Sequence, residues 1–272
     1  MSGATVPADL YRGTVLELLL DAARLRPDAT ALICGDEQLD YRGYARAVLE
    51  LGVELRARSR SGGRIATLLP NSLDSCVAHF AMFAAGRQLV PLNPAYTARE
   101  LEFELRDSAP DVLLADVALQ PVLAAPLAEL GIDTIWVGPN VRRLADTPGS
   151  GTPDTGTRAL RPVAPSALAL LPYTGGTSGK PKGVNLSHEA LRRNVAQREA
   201  VLATHADAER ILCAMPLFHS YGMAMGLYLA VGCRGALVIL PSYRRDAVLD
   251  AIERHAITVF PGSPTIYVGL LD

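Results

Sequence analysis

Short apolar runs alternate with amphipathic stretches along almost the whole chain, and this alternation constrains the fold more than any other property of the sequence. Ala29–Cys34, Ile65–Leu69, Leu89–Leu92, Val112–Ala115 and Ile132–Val137 have the length and apolar content of buried strands. Between them lie stretches with apolar residues at helical spacing: 14–25 (Val15, Leu18, Leu19, Ala22), 42–58 (Tyr44, Val48, Leu51, Leu55), 72–85, 98–107 and 119–130. The third of these is apolar on most faces, as a helix buried on all sides would be. Thr97 followed by Glu100 predicts a capping box at the start of the fourth. Strands and helices at this spacing build βαβ units, whose right-handed crossovers place helices on both faces of mainly parallel sheets. The expected class is α/β, and 272 residues suffice for a large core.

From Gly138 to Pro165 the composition shifts to Pro, Gly, Thr and Asp, as in a linker or long loop. We therefore expect a first α/β subdomain over 1–137 and a second over 166–272, both parts of one large domain. The second group is predicted as helix 189–203, strand 210–214, helix 223–231, strand 236–240, helix 245–255, strand 257–260 and a helix from Pro264. A net charge of −2 argues against a nucleic-acid surface. Residues 211–233 carry no charge, but Pro216, His219, Ser220 and Gly222 interrupt them, so no membrane span is expected. The first residues lack the charged and apolar regions of a signal peptide, and four scattered cysteines without a C-x-x-C pair fit a reduced, cytoplasmic protein. Arg142-Arg143, Arg192-Arg193, Arg244-Arg245 and the segment Asp107–Asp111 are expected to be solvated surface.

The chemistry concentrates in one loop. An apolar strand, Leu168–Tyr173, leads into Thr174-Gly-Gly-Thr-Ser-Gly-Lys-Pro-Lys-Gly183. Val184–Leu186 is expected to return as a strand, and Ser187 to cap the helix that follows. Glycines let successive backbone N–H groups converge on an anion, while hydroxyls and ammonium groups add donors and charge. The chain has 26 basic residues, yet Lys180 and Lys182 are its only lysines, and both lie in this loop. A compact rotatable ammonium is not equivalent to a planar guanidinium in a phosphate cradle. The loop is not a Walker A motif, because Thr174 replaces the first glycine and Pro181 follows Lys180.

Residues 174–183 instead resemble the phosphate-binding signature of the adenylate-forming, or AMP-binding, superfamily, which includes acyl-CoA synthetases, luciferase-like enzymes and the adenylation domains of peptide synthetases. Leu39–Arg42, Phe83–Pro94, Pro216–Met223 and Ile257–Thr265 are similar to further motifs of that family, in the family's order. The resemblance implies an αβαβα-type N-terminal domain. It implies ATP-dependent activation of a carboxylic acid, fatty or aryl, followed by thioester formation with coenzyme A or a carrier-protein thiol. Thr174, Gly175, Gly176, Thr177, Ser178, Gly179 and Lys182 would hold the phosphates, with Thr177 beside Mg²⁺ and Lys182 also catalytic. His219 would be catalytic and, with Ser220, Tyr221, Gly222, Gly262 and Pro264, would border the acyl pocket. A lone histidine in an apolar run is more often a core residue, and the motif around His219 favours the pocket. Met223 and Met225 would suit a flexible apolar pocket, although methionine on a helix more often packs in the core. The family continues past the equivalent of Asp272 into an acidic Mg²⁺ motif, a ribose aspartate and an adenylation lysine. The chain is therefore expected to be the front portion of a ligase, impaired by itself. The alternatives are a non-catalytic nucleotide- or acyl-binding module on the same scaffold, or an amino-acid adenylation domain.

Overall fold

The structure is a computed structural model and describes residues 12–145, 163–175 and 181–271. Two mainly parallel sheets run through it. The larger has the order β10-β7-β4-β3-β5-β6: Leu186–Ser187, Leu168–Leu170, Gln88–Pro91, Arg64–Leu68, Val112–Asp116 and Asp133–Val137. All neighbours are parallel except β10, which is antiparallel to β7. The smaller has the order β11-β12-β1-β2: Arg210–Cys213, Ala236–Ile239, Thr30–Cys34 and Glu37–Asp40. Here β1 turns back antiparallel into β2 through Gly35, whose φ of +61° suits glycine, while β12 joins β1 in parallel. Both sheets draw strands from before residue 137 and from after residue 166.

Strand alternation sorts the core into layers. In β5, Val112 and Leu114 face one hydrophobic cluster, and Leu113 and Ala115 face another. In β11, Ile211 and Cys213 join the same first cluster, whereas Leu212, and Ala214 just past its end, join a third. The shared cluster contains α1 (Val15–Leu25), α2 (Tyr41–Arg58) and α3 (Leu73–Ala85), packed between the two sheets. On the outer face of the large sheet lie α4 (Ala98–Ser108) and α5 (Gln120–Leu130); on that of the small sheet lie α9 (Arg245–Arg254) and α10 (Pro264–Leu271). The result is five layers, helix–sheet–helix–sheet–helix.

α3 lies in the middle layer, and all of its residues are buried, as its all-round apolar surface predicts. Ser72 is its N-cap and accepts from the Ser75 N–H. Phe80 meets Tyr44, Phe83 and Tyr228 edge to face, which joins α2, α3 and the later helical segment in one aromatic cluster. α2 and α3 touch closely at Gly52, where a Cβ would come within 2.8 Å of the Ala84 methyl. The capping box at Thr97 is present, with the Glu100 carboxylate accepting from the Thr97 N–H at 2.8 Å.

Four local expectations are corrected. The strand expected over 168–173 breaks at Pro172, which has no N–H for a ladder, into β7 and a separate β8 (Tyr173–Thr174). In place of the returning strand expected over 184–186 there are two short ones, β9 (Lys182–Gly183), paired with β8, and β10, paired with β7. The strand expected over 257–260 is a single parallel bridge, Ile211 with Val259. The arginine pairs are not uniformly solvated. Arg142 forks onto Glu54, Arg143 pairs with Glu37 and buried Asp74, and Arg192 is itself buried; only Arg193, Arg244 and Arg245 are exposed. Asp107 and Asp111 likewise accept from Tyr173 and Arg60.

Candidate functional site

The glycine loop springs from a two-stranded hairpin standing off the edge of the large sheet. Leu171 still donates its N–H to Leu89 O (2.8 Å), and Pro172 O accepts from Val184 N (3.0 Å), so the chain leaves the sheet at a fixed point. Gln88, buried in β4, reinforces the base by donating to Leu170 O (3.2 Å) and Asn185 Oδ1 (2.8 Å). Tyr173 then pairs with Gly183, and Thr174 with Lys182. The Tyr173 phenol donates to Asp107 of α4 (2.6 Å); its burial and this bond to a carboxylate push its pKa well above the usual value. Thr174 and Lys182 are exposed at the hairpin's open end. Gly175 faces open space, with no atom within 4 Å of where its Cβ would lie. Gly176, Thr177, Ser178, Gly179 and Lys180 lie outside the described residues. The donors present, a hydroxyl, glycine amides and an ammonium group, fit an oxyanion such as the phosphates of ATP. Among the described residues, no cluster of three His, Cys, Asp or Glu side chains could hold a metal ion.

Across from the hairpin runs Met215–Gly222, held from below by Asn71. This buried amide donates to Met215 O (2.9 Å) and Leu240 O (3.2 Å), and accepts from the Leu217 N–H (2.7 Å). His219 is exposed, and its Nδ1 accepts from the Tyr221 N–H (3.2 Å), capping the helix that begins at Ser220. That helix, α7 (Ser220–Gly222), runs on as π-helical turns over Met223–Tyr228 and regains α geometry in α8 (Leu229–Cys233). Gly222 is obligatory by contact: a Cβ there would lie 2.2 Å from Pro216 O.

The segment from Phe218 to Tyr221 separates two cavities. One, of about 330 Å³, is walled by Asn93, Tyr96, Glu104, Thr174, Gly175, Phe218 and His219. The other, of about 430 Å³, is more apolar, with Leu170, Leu186, Leu191, Tyr221, Ala224, Met225 and Tyr228 around it and Asn194 and Gln197 as its polar members. Ser220 borders both. The fold thus brings Thr174 and Gly175 together with His219 and Ser220, and places Tyr221 on the apolar side. Met223 is fully buried in the core, and Met225 lines the apolar cavity. Gly262 and Pro264 line neither cavity; Gly262 packs against the Tyr267 ring. Asn71, Asn93, Tyr96 and Glu104 are additions that motif reading missed. A polar residue just after an apolar strand, as Asn71 follows β3 and Asn93 follows β4, is the signal that could have found the first two.

No described helix is long and apolar enough to cross a membrane. Cys34, Cys76, Cys213 and Cys233 are free thiols.

The chain is similar to a long-chain-fatty-acid–CoA ligase of Bacillus subtilis, with 28% identity over 95% of this chain and 51% of the relative. It is 34% identical to a feruloyl-CoA synthase of Amycolatopsis sp over 90% of this chain and 48% of that protein. Among solved structures it resembles ATP-bound MatB from Rhodopseudomonas palustris, with a TM-score of 0.80 and 26% identity over 94% of this chain and 51% of that one. The chain spans about half the length of the curated relatives it matches. The family model described as AMP-binding enzyme matches residues 19–272, and on that match, with the loop and the layered fold, the chain belongs to the AMP-binding enzyme family.

Proposed function

We propose that the chain activates a carboxylic acid, fatty or aryl, as its acyl-adenylate at the expense of ATP, and that the acyl group then passes to the thiol of coenzyme A. The observation that carries this reading is the juxtaposition of two unlike cavities at one short segment. A polar cavity opens beside the glycine hairpin, and an apolar cavity that would suit an alkyl or aryl group lies on the other side of His219–Tyr221.

A carboxylate is already a nucleophile, so no activated serine or cysteine is needed. Its oxygen attacks the α-phosphorus of ATP, the bond to the pyrophosphate oxygen breaks, and pyrophosphate leaves. In the second step the thiol sulfur forms the thioester, AMP departs and the thiol proton passes to solvent. The obstacle in the first step is the approach of two anions, so alignment and neutralisation dominate the barrier. Thr174 to Gly179 and Lys182 would supply donors and charge to the phosphates. Magnesium, when bound through Thr177, would share that charge. His219 stands where the carboxylate end of an acid in the apolar cavity would reach the phosphate side, with Ser220 between the two cavities. Gly222 allows the turn that sets both. The acid classes named for the two curated relatives, long-chain fatty acid and ferulate, favour fatty or aryl acids over amino acids.

The test is ATP–pyrophosphate exchange with Mg²⁺ and a panel of fatty, aryl and amino acids, beside Lys182→Ala. We expect exchange with fatty or aryl acids, lowered about 10²–10³-fold by the substitution, the usual loss on removing one transition-state donor. Exchange confined to amino acids would overturn the substrate class. Because the chain spans half of its relatives' length, a second reading is a nucleotide- or acyl-binding module. Saturable ATP and acid binding without exchange would favour it.

A further inference from the structure

The polar cavity contains an acid that packing does not explain. Glu104, on α4, is 2% exposed and lines the cavity with Thr174 and Gly175, and its Oε1 has no hydrogen-bond partner among the described residues. Its neighbour Ser108 uses the Glu104 backbone instead, donating its Oγ–H to the carbonyl oxygen. The groups that face it give no charge compensation. Glu100 and Asp107 on its own helix are acids and, after burial itself, raise its pKa to about 7. Tyr173 of β8 spends its phenol proton on Asp107, and Tyr96 and His219 complete the cavity's titratable wall. No arginine or lysine lines the cavity among the described residues. A buried, unpaired carboxylate is costly there, whereas a neutral carboxyl carries one O–H donor.

We propose that Glu104 serves this cavity as a neutral carboxyl that donates its O–H to a phosphate oxygen of the bound nucleotide, acquiring its proton as the anion enters. The proton comes from bulk solvent; no bond between heavy atoms forms or breaks, and no metal is required at this contact. A phosphate placed beside Glu104 adds negative charge and drives the carboxyl further toward its neutral form, so anion binding and protonation reinforce each other. The inference rests on the reading that phosphates occupy the cavity beside Thr174 and Gly175. It adds a contact outside the glycine loop and gives a cavity whose described lining holds no cation a further means of accepting an anion.

Calorimetric titration of pyrophosphate without metal, in buffers of different ionisation enthalpy at pH 6 and pH 8, tests it on the 272-residue chain and on Glu104→Gln. At pH 8 the unaltered chain should take up about one proton more than the variant. Its affinity relative to the variant should fall about tenfold per pH unit above neutrality, and the two should converge at pH 6. Equal proton counts and parallel affinities would overturn the proposal. So would proton release greater than that of the variant on adding Mg²⁺ with pyrophosphate, which would mean that the carboxylate binds the metal. Should the variant fail to fold, the carbon-13 shifts of labelled glutamate carboxyls in the unaltered chain decide the matter: at pH 8 one carboxyl should become protonated on adding pyrophosphate, and none doing so overturns it. Absence of any pyrophosphate binding would instead remove the phosphate reading of the loop itself.

Discussion

At the scale of single residues, the buried ionisable groups set two opposing pH dependences. His79 and His188 are buried, each with an Nδ1 that has no partner among the described residues, and desolvation lowers each pKa to about 4. Folding therefore favours their neutral forms. Their contribution is present above the unfolded value near 6.5 and is lost as pH falls toward 4, about 3 kcal/mol for each at the bottom of that range. Glu104 works the other way: its raised pKa makes folding favour the protonated acid, so stability is lost as pH rises from about 4.5 to about 7. Urea unfolding should thus show Glu104→Gln more stable by about 3 kcal/mol at pH 8 and almost unchanged at pH 4.5, with steeper acid destabilisation than the parent. Equal curves for the two proteins at pH 8 would refute the account. Sequence patterns could not find Glu104, because on the sequence it is one of several acids on an amphipathic helix. Its burial follows only from tertiary packing, which sets α4 beside the hairpin, where Tyr173 bonds Asp107. His219 was legible through its motif context alone, since spacing by itself would have left it in the core.

The elements themselves were largely legible, since most helices and parallel strands have the period of the layer they belong to. The failures cluster where the loop meets the sheet. An apolar run reads as one strand from Leu168 to Tyr173, but Pro172 interrupts the ladder and the hairpin leaves the sheet there. The π-helical turns after Gly222 are equally invisible, because a 3.6-residue period and a slightly wider one look alike over two turns. Two glycines flanking the polar cavity test this local geometry. Gly222→Ala would push a methyl into Pro216 O, a backbone atom that cannot move cheaply, and should cost about 1–3 kcal/mol with loss of acid binding. Gly175→Ala meets no atom and should leave the melting temperature nearly unchanged, with a stability effect within about 0.5 kcal/mol, while weakening ATP binding. Thermal melts and ligand titrations on the pair would check both. Equal destabilisation would show that the close approach at Gly222 is not what fixes the segment.

On the scale of the whole molecule, alternation foretold α/β layers but not which strands would be neighbours. Pairing across 138–165, such as Leu89 with Leu170, comes from contacts that no local pattern encodes. The middle helical layer serves both sheets, so the inner face of each depends on the other for its core, while only the outer clusters belong to one sheet. Residues 12–145 made alone would expose the inner face of α3 and leave β1 without β12. That fragment should bind a hydrophobic dye and unfold over a broad urea range, where the full chain unfolds sharply; a sharp, dye-free transition would contradict the shared core. The same pairing has a consequence in time. Leu32 of β1 rests beside Leu237 of β12. A ribosome adding about 5–20 residues per second therefore exposes β1 for roughly 10–40 s before its neighbour, some 200 residues later, has been made. Through that interval the nascent chain carries a strand with one open edge and a bare apolar helix, both of them surfaces on which aggregation can start.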